Sequence, residues 1–209
     1  MTDSTQVITA PEPGAGPPPG AGPAAPLVTR IVPLVGLPIV AVILVGLVLS
    51  MANDWRWGLD FFHVAGGGLW TAIDLFVGLI IGPILGRLSI PARAEFSARF
   101  MPKMLLIMPT LVVCTLAAGF QLAITMGNLE PASPNHDRLI VSFVIVGIMA
   151  IIALGILEPA NVAVLFEMRK PQPNGELIGR LMKRFVYTAG ITGALQIVTL
   201  IIMTRVATP

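Results

Sequence analysis

Five apolar segments, near residues 31–51, 59–87, 104–127, 139–167 and 185–205, decide what this chain can become. Each reaches the roughly 20 residues that an α-helix needs to cross about 30 Å of hydrocarbon. Inside lipid every backbone N–H and C=O must find its partner within the protein, so spanning segments of this length are helices. The expected fold class is all-α, an integral membrane bundle of five transmembrane helices with a disordered Pro/Gly-rich N-terminal tail. Composition agrees: 55% of the residues are hydrophobic and only 11% charged, outside the range of ordinary soluble domains.

The tail is residues 1–29, which include PEPGAGPPPGAGPAAP and almost no large apolar side chain. Such a stretch buries too little surface to offset the entropy of ordering. The start MTDSTQ lacks the basic n-region of a secretory signal. Residues 30–209 then form the transmembrane domain. With a cytoplasmic amino terminus, the inner segments carry Arg30, Arg87, Arg93, Arg99, Lys103, Arg169, Lys170, Arg180, Lys183 and Arg184, whereas only Arg56, Arg138 and Arg205 lie outside. That bias predicts a multi-pass protein of the cell (plasma) membrane with a cytoplasmic N-terminus and an extracytoplasmic C-terminus. It also explains a pI near 9.1 without nucleic acid. The expected partner is the lipid bilayer, joined by a membrane protein complex or by further copies of the chain. A lone cysteine, Cys114, sits in an apolar segment and reads as a small packing residue.

The second segment holds what plain membrane filler does not explain. At about 100° per residue, His63, Trp70 and Asp74 project within roughly 20° of one helix face. A carboxylate in the middle of a span costs about 2.5–3.5 kcal/mol on insertion scales, so that face is expected to turn toward protein or a cofactor. Gly78, Gly82 and Gly86 follow Asp74 at intervals of four and make a ridge on which another helix can approach closely. The pairs Ala189 with Gly193 and Gly190 with Ala194 in the fifth segment offer the same. The first segment, without an ionisable group, reads as a peripheral anchor.

His63 is the leading chemical candidate, because neutral imidazole ligates haem iron, copper and zinc. Gly66, Gly67 and Gly68 leave room beside it for a flat macrocycle or for another backbone, and Trp70 would wall such a pocket. The alternative is a structural histidine bonded to a carbonyl. Met126 and His136 are the candidates for a second ligand to haem b. Copper, held by His63 with Met126 or Met51, is the alternative cofactor. Asp74, Gln121 and Glu158, with Asn161, form a candidate proton or ion path; equally, each acid could be neutral and bonded to a neighbouring helix, with Pro159 marking a kink. Walker, HExxH and GxSxG motifs are absent from the sequence.

His63, then Trp70 after six intervening residues, then Ala72 and the pair Leu75 and Phe76, resemble a loose superfamily of small bacterial membrane proteins. It includes the copper resistance D family, the membrane-type protoporphyrinogen oxidase and the membrane half of certain urate-oxidising proteins. The resemblance implies a haem or metal ligand at His63 alone. The intramembrane lysine that the oxidase family carries on a later span has no counterpart in spans three to five. The expected function is haem or metal binding in electron transfer or metal handling, within a larger complex or alone. The competing expectations are a small transporter or channel built on Asp74 and Glu158, and a packing subunit.

Overall fold

The computed structural model describes residues 32–170 and 172–208; the tail of residues 1–29 and Arg30 lie outside that range. All regular structure among the described residues is helical. Five helices are long and apolar enough to cross a membrane: α1 Leu34–Ala52, α2 Arg56–Arg87, α3 Ile90–Thr125, α4 His136–Met168 and α5 Gly175–Ala207. The chain is a multi-pass, all-α membrane protein.

The helices outrun the apolar segments at one end. α3 starts at Ile90 rather than near 104, and α5 at Gly175 rather than near 185. The stretches expected as basic inner loops are therefore largely helical. With 36 residues, α3 is about 54 Å long, well beyond the hydrocarbon thickness. Local chemistry supports these ends. Arg93 of α3 donates from Nε to Leu88 O and from Nη2 to Gly86 O, both at 2.8 Å, which caps the C-terminus of α2. Asn174 accepts at its side chain from Leu177 N and caps the start of α5. The carboxylate of Glu167 accepts from Lys170 Nζ at 2.5 Å and from Asn174 N at 3.0 Å, holding the α4–α5 turn. Gly175 and Ile90 bring this turn against the start of α3, and we call this the basic end. At the far end Gln121 Nε2 donates to Asp54 Oδ1 and Arg138 Nη1 to Arg205 O. Trp55, Trp57 and Phe61 stand exposed beside that turn, with Trp57 and Phe61 stacked at 5.7 Å, as side chains do at a membrane interface.

Two helices change pitch midway. In α2, residues Val77–Ile81 form a π turn in which Gly82 N bonds Val77 O. In α4, Ala153–Leu157 do the same, with Glu158 N bonding Ala153 O. Each π turn leads into a proline two residues after its end, Pro83 or Pro159. Proline has no N–H for the carbonyl four residues back and its ring crowds that carbonyl, so widening the turn relieves the clash without breaking the helix.

Among the described residues α1 packs chiefly on α2 and α3, with just Leu47 and Ser50 of its main helical run buried, in keeping with a peripheral position. α2 lies between α3 and α5. Its glycine ridge meets α5: a Cβ on Gly78 would lie 2.6 Å from Gly190 Cα, and one on Gly82 would strike Val186. Gly86, the third of the series, faces open space. Gly193 seats Leu75. The basic-end core is built on Met101, Val164, Leu165, Met168, Ile178 and Phe185. There α4 packs on both α3 and α5, whereas its far half, His136–Ile152, packs on α5. α3 and α4 therefore diverge toward the far end, and the space between them holds the cavities.

Candidate functional site

Trp70 and Asp74 are buried on α2, 3% and 2% exposed, while His63, two turns nearer the far end, is half-buried. The shared face expected from their spacing thus turns inward. It borders two cavities in the space between α3 and α4.

The far cavity has a volume of about 310 Å³ and is lined by His63, Gly67, Gly68, Trp70, Gly119, Phe120, Ser142, Phe143, Met149, Gln196 and Met203, among others. His63 is placed from α3. Its Nδ1 lies 2.9 Å from the carbonyl oxygen of Thr115. A carbonyl can only accept, so Nδ1 carries the proton it donates, and in a neutral ring Nε2 is the nitrogen left with a lone pair. The ring lies against Gly119, where a Cβ would collide with Nδ1 and Cε1. The glycine run divides its labour. A Cβ on Gly66 would meet Thr115 Oγ1 at 2.7 Å, so that residue serves helix approach, whereas Gly68 faces open space. Phe120 and Phe143 meet across the gap between α3 and α4, with ring centroids 6.1 Å apart.

The middle cavity has a volume of about 390 Å³ and is lined by Trp70, Asp74, Met108, Leu116, Leu157, Glu158, Asn161, Phe185 and Thr192, among others. Asp74 Oδ2 accepts from Gln196 Nε2 at 3.0 Å. Trp70 lines both cavities, and the Asp74–Gln196 pair joins the lining of one to that of the other. Three buried polar atoms on these walls have no partner: Ser142 Oγ and Gln196 Oε1 at the far cavity, and Asn161 Oδ1 at the middle one.

The remaining expected site residues lie elsewhere. Met126 is the C-cap of the helix ending at Thr125, 45% exposed, and does not line the cavity of His63. His136 sits at the start of α4 with Nδ1 3.0 Å from Leu129 O and also lies off that lining. Gln121 faces Asp54 rather than the middle cavity. Met149 and Met203 share the cavity with His63, and nothing in the sequence marks them, because methionine in an apolar span carries no distinguishing signal. Gln196 was visible as a polar residue in the fifth segment, but nothing local tied it to Asp74. Among the described residues no three His, Cys, Asp or Glu side chains cluster closely enough to hold a metal ion by themselves.

The fold defines a multi-pass, all-α membrane protein with two cavities between its helices. Comparison with family models, with curated proteins and with solved structures found no match for this chain.

Proposed function

We propose that the protein binds b-type haem, or copper as the alternative, through His63 in the far cavity, and serves electron transfer or metal handling in the plasma membrane. A purely structural histidine would make the same bond from Nδ1 to Thr115 O; the observation that carries this reading is that the ring so held borders the far cavity beside Gly67 and Gly68. Histidines that ligate metals commonly donate their other ring N–H to a carbonyl or carboxylate, which sets the tautomer and the ring plane. The surroundings fit a flat apolar group: Gly67, Gly68 and Gly119 withhold side chains, and Trp70, Phe120 and Phe143 provide aromatic walls. Met149 or Met203 would stand as the second ligand in place of Met126 or His136. The resemblance of the second span to haem- and metal-binding membrane proteins points the same way.

A haem or copper held there by His63 would supply one-electron exchange. The chain orients the imidazole through Thr115, clears its face at Gly119 and lines the space with apolar walls. The basic end faces the cytoplasm in this reading, by the excess of arginine and lysine there. The test is the absorption spectrum and metal content of the purified full-length protein. A Soret band, or stoichiometric copper, is expected in the wild type and is lost in His63→Ala; colourless, metal-free wild type after expression with haem precursor and copper supplied rejects the reading.

A further inference from the structure

The middle cavity has a composition that the His63 reading does not use. Two carboxyl side chains, Asp74 and Glu158, come to it from different helices, together with Asn161 and Thr192. No lysine, arginine or histidine lines it. Asn161 is 1% exposed and its Oδ1 has no partner. Glu158 is half-buried and, among the described residues, has no hydrogen-bond or charged partner holding it. Thr192 spends its hydroxyl proton on carbonyls of its own helix, Thr188 O and Ala189 O. Beyond the Gln196 amide and the Trp70 indole that reach Asp74, this space is bordered by a second acidic group, Glu158, and by no fixed positive charge. Burying acids in a lipid-level chamber is unfavourable unless a positive partner enters or they carry protons.

The rest of the wall chooses among positive partners. A bare metal ion needs several oxygen ligands drawn close together, and the described residues show no such grouping of acids. The space is wide, and Met108, Val112, Leu116, Leu157 and Phe185 give it a hydrocarbon surface. Trp70 adds an aromatic face, on which alkylammonium groups are attracted by the ring quadrupole. We infer that the middle cavity is a binding site for an organic cation with an apolar body, its ammonium placed among Asp74, Glu158 and Asn161 and its hydrocarbon part against α3 and Phe185. The site is independent of any group at His63.

The test is isothermal titration calorimetry of the full-length protein in lipid nanodiscs with benzyltrimethylammonium as probe, and with its uncharged carbon isostere neopentylbenzene as control. Saturable one-to-one binding is expected for the cation and not for the isostere. Glu158→Gln is expected to weaken it by about tenfold or more; this substitution keeps the side chain's shape and breaks no contact in the fold. Asp74→Asn is expected to do the same, and His63→Ala to leave it unchanged. The inference is overturned if the wild type shows no saturable binding, if the isostere binds equally well, or if Glu158→Gln binds as the wild type does while eluting as a folded monodisperse protein. Because His63→Ala is included, loss of the Soret band and loss of cation binding are read separately.

Discussion

Gln196 Nε2 donates to Asp74 Oδ2 over 3.0 Å between residues 122 apart in the chain, and this bond is where the two cavities meet. One partner comes from the middle of α2 and the other from the far half of α5. The remaining amide oxygen of Gln196 is buried without a partner, on a residue that lines the far cavity. An intramembrane acid is thus satisfied by an amide that still offers an acceptor on its other side.

Removing that amide exposes the cost of the buried acid. Gln196→Leu is expected to lower stability by about 1–2 kcal/mol, the upper range for a hydrogen bond between membrane helices. Gln196→Glu, which sets a second acid beside Asp74, is expected to cost more. Reversible unfolding in mixed micelles measures both.

The seat of His63 makes a sharper test of the cofactor reading than loss of the ligand. Gly119→Ala places a methyl group against the imidazole ring, while every proposed ligand is retained. The expected outcome is a loss of cofactor occupancy of about tenfold or more with little change in helicity, because a ring turned away from its acceptor loses its fixed tautomer. Haem or copper content per chain, read beside circular dichroism, checks it.

Close approach of α2 and α5 rests on backbone rather than on side-chain tips. Gly78→Ala forces a carbon to 2.6 Å from Gly190 Cα and is expected to destabilise by about 1–3 kcal/mol, since a backbone cannot step aside as a side chain can. Gly86→Ala meets open space and is expected to be neutral or slightly stabilising. Unfolding midpoints of the two variants, compared in the same micelles, decide this.

Cys114 is the single thiol of the chain and is 3% exposed. A maleimide is expected to leave it unlabelled in the folded protein and to label one thiol per chain after denaturation in SDS. Labelling of the folded protein at the rate of a free thiol would contradict the packing of α1 through α3.

Several features were legible along the chain because they are local. Hydrocarbon thickness sets span length, so five apolar stretches declared five crossings. Helical periodicity placed Trp70 and Asp74 on a single inward face. The spacing of Gly78 and Gly82 announced a tight helix contact, although Gly86, in the same series, meets nothing. Helix ends at the basic side were less legible, because a basic amphipathic stretch such as Ile90–Lys103 reads as a loop to hydropathy alone yet continues α3 as helix.

What the amino-acid sequence by itself determined is the membrane bundle, the inward face shared by Trp70 and Asp74, and the crowding of basic residues at one end of the spans. What only the tertiary structure decided is the company each of those groups keeps. Thr115 holds His63 with a backbone carbonyl, which every residue possesses and which therefore leaves no mark in a sequence. Gln196 reaches Asp74, and Glu158 shares a chamber with it, because the approach of Gly78 to Gly190 and the divergence of α3 from α4 set helix rotation and spacing. Partner choice in a bundle follows from those rigid-body relations, and they are properties of packed helices together rather than of any one segment.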